Sequence, residues 1–311
     1  MELFDIISSD LVEDLAVFLQ KNSSIDICID ASKFGNNQLG SNPPLICLCA
    51  FFGSKKCFEY LQIRDVNMNI VDSDERNVSH FACMGGSIEI FDILDSIGFD
   101  MSSVDKNGVG SIHYASYSGC LVLCQRLWLK GHDIKALDGF NKEPIHYAAM
   151  AKEADVIEFL HSQGCDINSI AMEWTPFTIA ITNHSINVIM FLLSCNLIIT
   201  NIPVPYMYPL SYATKYELEE IVDILLKSGK FDTNHQDHLG WSPLLFAAEK
   251  GHIGICENLL NHKADPNLCS RYQFSPLQAA KNRGFPTLAE ILLNRGAKVR
   301  NPFNLSLISP K

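Results

Sequence analysis

The chain has 311 residues, 47% of them hydrophobic, and a formal net charge of −11. That content supports a continuous core, and the negative balance disfavours nucleic acid and anionic membrane as main partners. The longest apolar run, residues 188–193, is far too short for membrane insertion, and residues 1–15 are acidic and patterned rather than a signal peptide. The charge is uneven, with seven acids and one Lys in residues 1–30 and seven bases and one acid in residues 271–311. The eleven cysteines are odd in number and include no Cys-x-x-Cys pair. Several stand where a small hydrophobe is wanted, which implies a reducing, cytoplasmic setting.

Taken in order, residues 2–7 and 11–19 read as two short amphipathic helices, with Asp10 as cap of the second. They resemble an atypical unit that terminates a stack. Residues 30–42 are polar and rich in Gly and Asn, hence an enlarged loop. A unit of constant length then repeats. Its small residue recurs as Cys49, Ala82, Ala115, Ala148, Ala180, Ala213, Ala247 and Ala280, at steps of 33, 33, 33, 32, 33, 34 and 33. A leucine follows the same period at Leu61, Leu94, Leu127, Leu160, Leu192, Leu225, Leu259 and Leu292. First helices are expected to start near Leu45, Val78, Ser111, Pro144, Pro176, Pro209, Pro243 and Pro276. Asn77, Thr175 and Ser242 suit the cap position, whereas Glu143 and Tyr208 suit it poorly. Helices of about ten residues are too short to stand alone in water, so each unit must stack on the next.

The fifth copy departs most. His184 replaces its glycine, and residues 196–200 lack the expected Gly-x-Asp turn. Pro203 and Pro205 then deny backbone donors, which predicts a local irregularity between copies five and six. Copy six adds one residue within 229–232, and residues 300–311 lack helical period.

The motifs Ser242-Pro243-Leu244, Ser275-Pro276-Leu277, Thr175-Pro176-Phe177 and Pro144-Ile145-His146-Tyr147-Ala148-Ala149 resemble the ankyrin-repeat signature Thr-Pro-Leu-His-x-Ala. The runs Leu160–Asn168 and Leu292–Ala297, by their Gly-x-Asp or Gly-Ala ending, resemble the second half of that pattern. The resemblance implies an all-α ankyrin-repeat solenoid of stacked helix-turn-helix units with protruding hairpin loops. It divides the chain into a capping pair with its loop (1–42), eight repeats (43–299) and a tail (300–311). It also implies that His80, His113 and His146 bond the backbone of a neighbouring loop, and that Asn168, Asn234 and Asn267 are either turn-stabilising or targets of hydroxylation.

No motif for catalysis, cofactor or metal binding emerges: there is no Gly-rich phosphate loop, His-Glu-x-x-His, Gly-x-Ser-x-Gly or zinc spacing. The function expected is therefore binding of a protein partner, of identity not given by the sequence, on the concave face of a monomer. Positions near the end of each first helix, including Phe51, Met84, Tyr117, Met150 and Tyr216, are free to face it. So are loop positions before the helix start, including Phe140, Met172, Trp174, Tyr206 and Trp241. Aromatic residues and Met are enriched in interfaces, although Trp241 and Phe274 also suit packing on adjacent loops. The alternatives are a self-assembling scaffold joined through oppositely charged ends, or the binding half of a larger regulatory protein.

Overall fold

The structure, a computed structural model, describes residues 3–21, 24–30, 39, 42–198 and 208–299. The helices fall in consecutive pairs, and none among the described residues exceeds ten residues. They belong to two compact units, Met1–Leu197 and Ile198–Lys311. The division falls beside the expected irregularity; residues 199–207 themselves lie outside the described residues.

The first unit holds α1 (Leu3–Ser8), α2 (Val12–Gln20), α3 (Leu45–Phe52), α4 (Lys55–Ile63), α5 (Val78–Met84), α6 (Ile88–Ser96), α7 (Ser111–Ser118), α8 (Leu121–Leu129), α9 (Pro144–Ala148), α10 (Asp155–Ser162), α11 (Pro176–Thr182) and α12 (Ile186–Ser194). Its first helices α1, α3, α5, α7, α9 and α11 pack in succession as one layer, and α2, α4, α6, α8 and α10 as a second. The second unit repeats the arrangement with α13 (Pro209–Lys215), α15 (Pro243–Lys250) and α17 (Pro276–Arg283) beside α14 (Glu219–Ser228), α16 (Ile253–Asn261) and α18 (Pro286–Asn294).

The periodic residues form the core. All eight members of the small-residue series and all eight of the leucine series have no exposed surface. Burial of one leucine stabilises by roughly 1.5–3 kcal/mol, and the small residues let neighbouring first helices approach closely. Among the described residues no β-strand forms; isolated bridges such as Val104–Gly110 and Ala171–Trp174 sit in the connections.

Caps behave largely as their side chains dictate. Asn77 Oδ1 accepts from Ser79 N, Thr175 Oγ1 from Thr178 N and Ser242 Oγ from Leu245 N, at 3.0, 3.2 and 3.2 Å. Neither Glu143 nor Tyr208 makes a side-chain cap, and α9, which follows Glu143, is five residues long. The expectation for Asp10 is corrected. The cap position of α2 is Leu11, and Asp10 instead accepts from Lys56 N (3.1 Å) and Cys57 N (2.9 Å) in the first turn of α4. The positive end of α4 is thus satisfied from another helix pair, because its own Ser54 turns away and donates to Ile7 O.

The loops follow one recurrent turn. Asp105 Oδ1 accepts from the amides of Asn107 and Val109, and Asp138 Oδ1 from those of Phe140 and Lys142. Their second oxygens take the hydroxyls of Tyr114 and Tyr147, at 2.7 and 2.6 Å. At Asp72 the buried Arg76 guanidinium fills that role and also donates to Leu39 O. Adjacent tips are joined by Lys106 N to Asp74 O and Gly139 N to Asn107 O. The fifth copy lacks this aspartate, and Met172 and Glu173 both take positive φ to make its turn. In the same copy His184 adopts φ 57° in the glycine's place. Apart from Leu39 and Asn42, most of the loop 30–42 and all of the tail 300–311 lie outside the described residues.

Candidate functional site

Two residues after the small core position, the first four repeats carry Phe51, Met84, Tyr117 and Met150, 33 residues apart; Met84 is 6% exposed and the other three are half-buried. Their shared place at the end of α3, α5, α7 and α9 brings them into one cleft of about 410 Å³, whose floor includes Gly85, Gly119 and Ala151. The Phe51 ring meets Phe52 edge-on at 5.0 Å, and Phe52 meets Phe4 of α1 at 5.3 Å, so the first rung is braced from the capping pair. Lys152 and Glu153 close the far end, where Glu153 accepts from Asn187 Nδ2 at 2.8 Å.

The layer behind this cleft is electrically bare. Helices α3, α5, α7, α9 and α11 contain no Asp, Glu, Lys or Arg. A chain with a net charge of −11 therefore presents four adjacent uncharged helices to a row of flexible apolar side chains. Dispersion and area burial, not ion pairing, are what such a surface offers a ligand.

Of the residues anticipated from sequence, Phe51, Met84, Tyr117 and Met150 line the cleft. Phe140, Met172 and Trp174 do not line it; they stand exposed in the connections. Tyr216 (53% exposed) and Trp241 belong to the second unit. Trp241 packs on Phe246 at 4.9 Å and Phe274 at 6.3 Å, which is the loop-sealing arrangement. Tyr206 lies outside the described residues. Phe51 and Met84 complete the row, and stepping back by 33 from Tyr117 finds both.

The aligned histidines, two of the turn asparagines and three thiols of the second helices have structural partners or are buried. Asn77 N donates to His80 Nδ1 at 3.0 Å, which leaves the ring proton on Nε2 to reach Ser103 O at 2.9 Å. His113 and His146 repeat this with Gly110 N and Ala136 O, and with Glu143 N and Ser169 O. Burial holds all three imidazoles below the usual histidine range. Asn234 Oδ1 accepts from Asp265 N and Asn267 Oδ1 from Lys298 N, both in turns of the following unit. Burial pushes the thiols of Cys57, Cys124 and Cys256 up to about 12, far from a nucleophile's range. Among the described residues no His, Cys, Asp and Glu group is placed to hold a metal, and no helix is long and apolar enough to cross a membrane.

Comparison with known proteins agrees with this geometry. The family model described as ankyrin repeats (3 copies) matches residues 45–134, 112–202 and 210–302. A putative ankyrin repeat protein of Escherichia coli K12, YahD, is 38% identical over 82 residues, 25% of this chain and 41% of that protein. The human ankyrin repeat family A protein 2 is 34% identical over 73 residues, 24% of this chain and 20% of that protein. The matches thus span less than half the length of either relative. The crystal structure of the ankyrin repeat domain of Bcl-3 superposes with a TM-score of 0.58 at 19% identity, covering 71% of this chain and all of that domain.

Proposed function

Because the chain belongs to the ankyrin-repeat family, we propose that it is a non-enzymatic binding module that holds a protein partner against the first-helix layer of residues 1–197. The repeats of this family are protein–protein interaction modules, and the observation that carries the reading here is the uncharged row Phe51, Met84, Tyr117 and Met150 lining one cleft. A cleft of about 410 Å³ takes three or four apolar side chains rather than a whole helix. The partner segment is therefore extended, apolar and poor in charge, and the exposed Phe140, Met172 and Trp174 extend the contact from the loops. Each unit is fixed by its neighbours, so the surface is preorganised and little ordering entropy opposes binding. The chain acts as a monomer, and a reducing, cytoplasmic setting is supported by its eleven free thiols, seven of them buried.

Selection of displayed peptides on the intact chain tests this. Enriched sequences should be apolar and low in charge, and should lose about ten-fold or more in affinity on a Met84→Ala/Tyr117→Ala/Met150→Ala variant, the scale of one or two truncated anchors. Enriched peptides that bind the still-folded variant equally well would remove the cleft from the account.

A further inference from the structure

The second unit sorts its charge by layer. Its first helices α13, α15 and α17 carry Lys215, Lys250, Lys281 and Arg283 against one acid, Glu249. Its second helices α14, α16 and α18 carry five acids against one base, Lys227. Residues 208–299 as a whole balance, with ten of each sign. The segregation is not a requirement of the stack, since the first helices α3 to α11 of the other unit are uncharged.

Glu249 is already engaged, its Oε1 accepting from Arg283 Nε at 2.7 Å. Among the described residues the three lysines have no carboxylate partner. Lys250 and Lys281 are exposed, and neither makes an ion pair among the described residues. Lys215 lies over aromatic faces, its Nζ 5.7 Å from the Tyr216 ring and 6.0 Å from that of Phe246. Cationic side chains thus stand in the last turns of three stacked helices, with Lys215 beside exposed aromatic surface.

We propose that this end of the first-helix layer docks an acidic linear segment of another protein, with carboxylates set against Lys215, Lys250 and Lys281 and an apolar side chain laid on Tyr216. Charge complementarity selects the occupant. A nucleic-acid duplex or an anionic bilayer also meets the field of the whole chain, whose formal net charge is −11. A short peptide meets only the local field, which salt confines to about 8 Å. The site is separate from the apolar cleft, and the two favour segments of opposite character.

Fluorescence anisotropy on the full chain decides the matter, with a labelled peptide of repeated Glu-Glu-Phe and a Gln-Gln-Phe control of equal length. The acidic peptide should bind about ten-fold or more tightly than the control, with the advantage shrinking as salt rises. Lys215→Glu/Lys250→Glu/Lys281→Glu, half-buried at the first position and exposed at the other two, with folding verified by circular dichroism, should abolish that advantage, while Met84→Ala/Tyr117→Ala should leave it within about two-fold. Equal binding of the two peptides overturns the proposal, as does full binding by the folded triple variant. Tighter binding of duplex DNA or phosphatidylserine vesicles than of the peptide overturns it as well, and loss of binding on the cleft variant moves the peptide to the other unit.

Discussion

Gly85 offers a prediction that separates steric from conformational demand. It ends α5 at φ −81° and ψ −6°, a backbone any residue adopts. A β-carbon built there would fall 1.9 Å from the Phe51 carbonyl oxygen, 2.7 Å from its carbon and 2.9 Å from its α-carbon. All three are main-chain atoms at the end of α3, so no rotamer change relieves the clash. Ordinary contact begins near 3.4 Å, which requires α3 and α5 to part by roughly 1.5 Å in Gly85→Ala. Overpacking of this kind costs about 1–3 kcal/mol, toward the upper end when backbone must move. Against it stands a gain of about 0.4–1 kcal/mol from the stiffer unfolded chain. The expected net loss is about 2 kcal/mol. Urea unfolding read by circular dichroism measures it, with Gly254→Ala in α16 as the reference. There the added carbon meets only Glu219 Oε1 at 3.6 Å, and a gain of up to about 1 kcal/mol is expected. A Gly85→Ala protein as stable as the parent would show that the close approach of α3 to α5 is not what fixes glycine at this position.

Three other perturbations follow from the packing. Leu160→Ala empties a fully buried site in α10 and should destabilise by about 2–5 kcal/mol in the same assay. Asp10→Ala strips the two amides of α4 of their acceptor and should cost about 1 kcal/mol, whereas Ser9→Ala should be neutral; equal effects would contradict the cap. Acidification should weaken the fold. His80, His113 and His146 are depressed by burial, so the unfolded chain takes up protons first as pH falls below about 6.5. Their contribution is complete above that pH and is lost progressively below it. A urea midpoint that does not fall between pH 7.5 and 5.5, at about constant ionic strength, would refute the neutral imidazoles.

What the sequence revealed was whatever depends on period. Helix order, the buried alanines and leucines and the aligned histidines follow from residue types recurring at a fixed step, and the division near residue 198 falls where that pattern lapses. What it concealed was contact between unlike units. Asp10 precedes α2 and so looks like its cap, yet its carboxylate reaches an amide 47 positions away. Tyr114 and Tyr147 satisfy turn aspartates nine positions earlier, a pairing visible only once the loop folds back on its helix. The loop aromatics were harder still, because Trp241 sealing a neighbouring loop and Trp174 exposed in its own have the same local sequence character.

The comparison between the two units supplies an internal control for function. The row occupied by Phe51, Met84, Tyr117 and Met150 continues, in the repeat period, as Thr182, Lys215, Glu249 and Asn282. Helices α13, α15 and α17 stack with polar or charged residues in that row, so stacking does not call for hydrophobic ones. Phe51, Tyr117 and Met150 are only half-buried in the first unit, and partly open apolar rows carry a risk of non-specific association. A feature that the architecture does without, and that solubility opposes, is best explained by something that covers it. Replacing the row with its own counterparts separates the two roles. Tyr117→Glu/Met150→Asn, which spares the buried Met84, should leave stability to urea within about 1 kcal/mol while abolishing capture of the apolar peptides. Loss of stability by several kcal/mol would instead make the row part of the core.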